Sequence, residues 1–206
     1  MARPPIFVAG APASWNFGSL GVVVGHELSH GFDPTGVMFD DMGYLDDWMD
    51  EEGVKNFKKQ SECVINEYNH LCLIKKNTTK CVNGSLTIGE NMADNAGLHA
   101  SFRGFNHYRD SESIESHGDL GPPFDEFADD QIFFYSFAQT WCASSQFNKK
   151  SVEWNDPHSP NMFRVIGTLM NQPAFRSAYK CPADSIYAPK KFCEVWITPA
   201  KKAIEN

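Results

Sequence analysis

His26-Glu27-Leu28-Ser29-His30 sits in the mostly apolar stretch from Val22 to Phe32. On a helix, positions i and i+4 lie one turn apart on the same face. A helix here therefore brings two imidazoles to one metal ion. Glu27, one residue on, is rotated aside, where its carboxylate can reach a water at the metal without being a ligand. Zinc hydrolases use this arrangement. Two histidines four apart can equally be solvated or packed in a core, so the motif needs a third ligand from elsewhere in the chain.

One way to supply it is the longer pattern HExxHxxGxxH, which needs Gly at position 33 and His at position 36. Those positions hold Asp33 and Gly36, so that class is excluded. A Glu from a later helix is the alternative, and Gly89-Glu90-Asn91-Met92-Ala93-Asp94 offers one. Glu90 falls near a helix start, and Asp94 is four residues on along the same face. Glu90 can ligate the metal, and Asp94 can accept a hydrogen bond from a ligand imidazole and fix its orientation. Taken alone, Glu90 would simply favour the helix dipole and Asp94 would be solvated. Beside an HExxH they become a candidate ligand and its support.

The elements that must position these residues are mainly helical. A helix is expected from Ser14 to about Phe32, with Ser14 or Asn16 as N-cap and Pro34 as its stop. Gly18, Gly21 and Gly25 recur along it. Each costs a helix about 1 kcal/mol relative to Ala, so close packing of another element on that face is expected. Asp33 to Tyr44 is turn-rich, with room for a short hairpin. A second, amphipathic helix is expected from Asp46 to about Asn69, with Trp48, Val54, Phe57, Val64, Ile65 and Tyr68 facing inward. Further helices are expected from near Thr87 to about Tyr108, over Phe124 to Gln146 after Pro123, over Asn161 to Asn171 with Pro160 as first helical residue, and from Pro173 to about Tyr179. Arg109 to Gly121 and Lys180 to Asn206 are expected to be irregular. No repeat or low-complexity tract interrupts the chain.

The 206 residues, 42% apolar with 16 Phe and 5 Trp, suffice for one domain with a sizeable core and exclude a disordered composition. A formal net charge of −8 argues against nucleic acid as a partner. No apolar run is long enough to span a membrane, and the N-terminal MARPPIFVAGAP is not a signal peptide. Two features nevertheless point outside the cell. The chain has 6 Cys, and two N-x-S/T sequons stand close together at Asn77 and Asn83. An even cysteine count beside clustered sequons favours an oxidising compartment. A Cys72–Cys81 disulfide would close a small surface loop able to carry glycans. Secretory features without a leader suggest a piece of something longer.

GHELSHGFD, GENMADNAGL, HSPNMFRVIGTLMNQPAF and CEVW, in this order and spacing from Pro4 to Trp196, resemble the neprilysin and endothelin-converting-enzyme family of zinc endopeptidases. ENxAD and CxxW are specific to that family. The resemblance implies a mainly α, thermolysin-like (gluzincin) C-terminal catalytic domain with little β structure, residues 1–206 forming one domain without the family's N-terminal lobe. It implies one zinc ion per chain, held by His26, His30 and Glu90, and a peptide substrate hydrolysed by a zinc-activated water. Glu27 resembles the family's base, and Asp94 the carboxylate behind a ligand His. His158 resembles the residue that stabilises the oxyanion. Arg164 resembles the arginine that binds a substrate carbonyl and pairs with the Asp of ENxAD. Read without the family, a lone His after Pro is a loop residue and an Arg on an amphipathic helix is solvated. A site of this kind does need a cation or donor opposite the metal.

The same resemblance pairs Cys63 with Cys193, tying CxxW back to the long helix, and leaves Cys72 and Cys81 as a local extra pair. Cys142 and Cys181 resemble cysteines whose family partners precede residue 1; here they pair with each other or stay free. Family members also carry a membrane anchor, a helical lobe and an Asn-Ala-Tyr-Tyr strand that binds the peptide backbone, all of which would precede residue 1. The family's Pro-Phe-Phe approach is altered to PPIFVAGAPASWNFG. The metal site is thus expected to be complete and half the substrate cleft missing. Three readings follow: an extracellular zinc endopeptidase, alone or completed by an N-terminal lobe from a longer form; a secreted zinc-binding module with little turnover; and a non-folding fragment.

Overall fold

The structure is a computed structural model and describes residues 3–75, 78–111, 120–122, 124–142 and 154–196. It is mainly helical. Helix α1 (Ala13–Asn16) runs through a π-helical turn (Phe17–Gly21) into α2 (Val22–Ser29), which tightens to a 3-10 turn (His30–Phe32). The long helix α3 (Glu51–Asn69) leads into a two-stranded antiparallel hairpin, β1 (Cys72–Lys75) and β2 (Thr78–Cys81). Then follow α4 (Ile88–Ser111), α5 (Asp129–Thr140), α6 (Asn161–Met170) and α7 (Pro173–Ala178).

The first helix is the expected one, differently capped. Pro12 occupies the N-cap position, and no side chain caps it. Ser14 is buried inside the helix instead, its hydroxyl directed at Asp129. The helix stops where Asp33 turns extended, as the residue before Pro34 must. The π-helical turn leaves backbone carbonyls without a regular helical partner. Serines take carbonyls in and beside it. Ser101 of α4 donates to the Phe17 carbonyl at 2.6 Å, and Ser136 of α5 to that of Trp15 at 2.8 Å.

The recurring glycines have the packing reason anticipated for them. Gly18 lies directly against the Phe133 backbone carbonyl of α5. A Cβ on Gly25 would stand 2.7 Å from the Gly97 carbonyl oxygen of α4. Helices α2 and α4 therefore cross backbone to backbone.

Several expectations need correction. The second helix begins at Glu51, not Asp46. Asp50 is the better cap: its carboxylate accepts from Gly53 N at 2.6 Å, with Glu51 and Glu52 in the first turn. Asp46 N instead donates to Met38 O, within a short hairpin closed by the Phe39–Leu45 bridge. Trp48 and Val54 consequently face solvent, while Val64 and Tyr68 are buried. The aromatic helix opens with a separate 3-10 turn (Phe124–Glu126) before α5, and is regular only to Thr140. Ala128 caps it, and Gln131 reaches back to the Ala128 N–H at 3.0 Å. Residues 143–146 lie outside the described ones. Finally, α4 continues to Ser111, three residues into the expected loop, and Pro160 caps α6 rather than starting it.

Two apolar clusters hold these elements. One joins Val64 and Tyr68 of α3 to Met92 and Ala96 of α4, with Phe163, Cys193 and Val195. The other joins Val22, Leu98 and Phe105 to Phe133, Phe134 and Phe137 of α5, with Leu169 and Phe175. Helix α4 belongs to both, so its position is fixed from two sides. The Cys63–Cys193 disulfide is formed, and Cys72–Cys81 spans the hairpin between directly opposed residues. Cys142 and Cys181 are both free. Asn83 is exposed, and Asn77 lies outside the described residues.

Candidate metal centre

Helix geometry places His26 and His30 on one face of α2 and its 3-10 extension, with their Nε2 atoms 3.0 Å apart. The close crossing at Gly25 and Gly97 lets the N-terminal half of α4 reach them. Glu90 Oε2 lies 3.2 Å from His26 Nε2, and Glu90 Oε1 3.6 Å from His30 Nε2. One donor atom from each of the three falls within 4.8 Å of the others. Glu90 Oε2 is buried yet has no hydrogen bond. A buried carboxylate oxygen left without a hydrogen bond and ringed by nitrogens fits the role of a cation ligand. Two imidazoles and one carboxylate suit zinc.

Each imidazole is steadied from behind. His26 Nδ1 is 2.9 Å from Asp94 Oδ1, a close ion contact although not a well-aligned hydrogen bond. His30 Nδ1 is 2.8 Å from Asp33 Oδ2. Asp33 was not singled out in the sequence beyond its failure to be the Gly of the longer motif. It stands three residues after His30, at the helix stop. Its other oxygen accepts from Thr35 N and Gly36 N, each at 2.7 Å. The carboxylate is thus locked by the turn it caps. An Asp at a helix end, one turn past a candidate ligand, was the available signal.

Asp94 is fully buried and shared. Arg164 of α6 donates to both its oxygens, Nε to Oδ2 and Nη2 to Oδ1, at 2.7 Å each. The guanidinium also stacks 3.8 Å from the ring centre of Trp141. Arg164 is only 6% exposed, unlike the solvated Arg that helix position alone suggests. His158, in the loop before α6, brings Nε2 to 3.2 Å from Glu90 Oε2. Asp156 holds the other side of that ring, at 2.7 Å from Nδ1. Glu27 is exposed and makes no hydrogen bond or ion pair among the described residues. It lines a cleft with His26, His158 and Arg164, walled by Val22, Val23, Phe137 and Trp141. All seven residues picked as ligands or chemistry-bearing groups therefore meet in one place.

Charge in the site is tightly balanced. Burial disfavours a proton on His26, but Asp94 and Glu90 outweigh it and raise its pKa to about 9. Burial would also raise Glu90; His26 first, then His158 and His30, hold it below the usual value instead. Asp94 is likewise held low against its burial, by His26 and Arg164.

A helical domain with two histidines of an HExxH helix facing a glutamate of a second helix is the architecture of a zinc-metallopeptidase catalytic domain. The family model of peptidase family M13 matches residues 1–195, and the chain belongs to that family. Neprilysin-1 of Caenorhabditis elegans is 41% identical over 198 residues, covering 94% of this chain and 25% of the relative. Human endothelin-converting enzyme 1 is 40% identical over 197 residues, covering 94% and 24%. Among solved structures, the Haemonchus galactose-containing glycoprotein complex superposes with a TM-score of 0.82 at 36% identity, covering 93% of this chain and 31% of that one. The Mycobacterium tuberculosis zinc metalloprotease Zmp1 in complex with inhibitor gives a TM-score of 0.80 at 29% identity, covering 95% and 30%. The chain spans about a quarter of the length of the curated relatives it matches.

Proposed function

We propose that this chain is the catalytic part of an extracellular zinc endopeptidase that hydrolyses bonds in small peptides. The observation that carries the reading is the convergence of His26, His30 and Glu90 beside an unencumbered Glu27. One zinc ion per chain would be held by those three residues and would supply Lewis acidity that makes a water nucleophilic near neutral pH. Glu27, open to the cleft, accepts the proton of the attacking water and passes it to the leaving amine. His158 and Arg164 present N–H donors across the cleft, where negative charge develops on the scissile carbonyl oxygen. Asp156 orients the His158 ring, Asp94 orients Arg164 and His26, and Asp33 orients His30. The apolar wall of Val22, Val23, Phe137 and Trp141 suits a hydrophobic substrate side chain next to the cleaved bond, as in cleavage on the amino side of a hydrophobic residue.

Two disulfides and an exposed sequon at Asn83 support an oxidising, extracellular setting. No helix among the described residues is long and apolar enough to cross a membrane. A further lobe from a longer form would complete the substrate cleft. The test is zinc content with peptide cleavage, for wild type and Glu27→Gln. One zinc in both proteins, with turnover only in the wild type, is the expected result. Equal cleavage by both would overturn the role of Glu27. Stoichiometric zinc with no turnover on a broad peptide library would make the chain a binding module instead.

A further inference from the structure

The loop that carries His158 is exposed, and His158 itself is nearly half open to solvent. Its contacts with Asp156 are local, two residues apart, and travel with the loop. Something else must fix the loop to the body of the protein. Ser159, the next residue, is 2% exposed, and its hydroxyl donates to Asn91 Oδ1 at 2.7 Å. Asn91 is fully buried on α4, next to Glu90, and its Nδ2 donates to Thr87 Oγ1 at 2.8 Å. The Thr87 hydroxyl in turn donates to the Asn83 carbonyl at 3.0 Å. Among the described residues, Ser159–Asn91 is the only buried side-chain hydrogen bond joining residues 154–160 to another element.

We infer that Asn91 and Ser159 are positioning residues, a buried latch that holds His158 at a set height over Glu90. The inference rests on the peptidase reading above for its catalytic consequence, but not for its geometry. The latch joins the residue after His158 to the residue after Glu90. Trp154 packs the start of the loop against the first apolar cluster, and this one short hydrogen bond fixes the separation at His158 itself. The partners suit the task. Asn91 is held on both sides of its amide, accepting from Ser159 and donating to Thr87, so the carboxamide cannot rotate without losing both bonds. Pro160, immediately after Ser159, is the N-cap of α6, and its fixed φ carries the register on to Arg164. Neither Ser159 nor Asn91 reaches the cleft, so neither is a catalytic residue.

The experiment compares wild type, Ser159→Ala, His158→Ala and the double variant, each zinc-loaded and checked for one zinc and an unchanged helical spectrum. Misplacing a reacting group by about an ångström lowers the rate up to roughly 100-fold. Ser159→Ala is expected to lower kcat/KM about 10- to 100-fold, chiefly through kcat. In the His158→Ala background it should change kcat/KM less than about 2-fold, because there is no longer a ring to position. Backbone relaxation of the zinc-loaded protein should show lower order at His158 in Ser159→Ala, with the α4 amides unchanged. Thr87→Val, isosteric and one link further back, should produce a smaller loss of the same kind, and serves in its place if Ser159→Ala does not fold. Equal losses in both backgrounds, or unchanged order at His158, would overturn the latch. If wild type has no turnover, the functional reading fails while the relaxation measurement still decides the latch.

Discussion

Substituting Gly97 should damage a metal site that Gly97 never touches through a side chain. Gly97 of α4 faces α2 at the crossing point, and an added methyl would lie 2.5 Å from His26 N and 2.8 Å from His26 Cα. Ordinary van der Waals contact begins at 3.4 Å, so the helices must part by close to the difference, about 0.9 Å. Both obstructing atoms are backbone, so no rotamer change relieves them. Glu90 and Asp94 move with α4, and His26 with α2. The Glu90–His26 distance of 3.2 Å and the Asp94–His26 distance of 2.9 Å open together. Overpacking of this kind costs about 1–3 kcal/mol in stability. Displacing the supports of metal ligands lowers metal affinity about 10- to 100-fold. The assay is zinc affinity by chelator competition, alongside thermal unfolding. Gly104→Ala, on the same helix, is the control: its Cβ meets nothing nearer than 3.5 Å, so it gains helix propensity without a clash. It should leave zinc affinity unchanged and stability equal or higher. Gly97→Ala binding zinc as tightly as Gly104→Ala would refute the claim that this crossing sets the site.

Other expectations follow from particular contacts. Asp33→Ala frees His30 Nδ1 and two turn amides, and should weaken zinc about 10- to 100-fold in the same competition assay. Burial pushes the Glu67 carboxyl from 4.5 up to about 7, although Asn171 donates to it. The folded state therefore holds that proton more tightly than the unfolded state, and stability should fall as pH rises from 4.5 to about 7. Thermal melts at pH 5 and 8 should show Glu67→Gln stabilising at pH 8 by at most about 3 kcal/mol, and much less at pH 5. Removing Cys63–Cys193, with a sequence separation of 130, should cost about 4–5 kcal/mol, against about 2–3 for Cys72–Cys81 with a separation of 9, as urea unfolding would measure.

What was legible in the sequence was whatever the helical period alone controls. His26 and His30 had to share a face once α2 formed, as did Glu90 and Asp94 on α4. The glycines at 18, 21 and 25 signalled close packing, though not which helix would pack there. The Asn91–Ser159 bond was not legible, because it depends on where a chain reversal ends rather than on a repeat, and Asp33 was signalled only by its place one turn past His30. The start of α3 was misplaced for a similar reason. Asp46 and Asp50 are both plausible caps, and only tertiary hydrogen bonding of Asp46 N to Met38 O decides between them. His158 and Arg164 carried no signal of their own. Arg164 is buried because Asp94 lies opposite, 70 residues earlier in the chain.

The ring of Trp196 lies 5.9 Å from that of Phe32, just beyond His30, and 5.9 Å from that of Phe57. Trp196 also donates its backbone N–H to Gln60 on α3, and Cys193 beside it is bonded to Cys63. As the chain emerges during synthesis, the HExxH segment is made long before the residues that complete its surroundings. Glu90 follows, then Arg164, and Trp196 arrives 164 positions after Phe32. Closing loops of that size is slow relative to forming a helix. Zinc capture therefore waits at least for α4 to cross α2 and bring Glu90 to the two histidines. A nascent chain that ends before Glu90 would present both histidines without their third ligand, and a metal bound at that stage would be held weakly and exchanged.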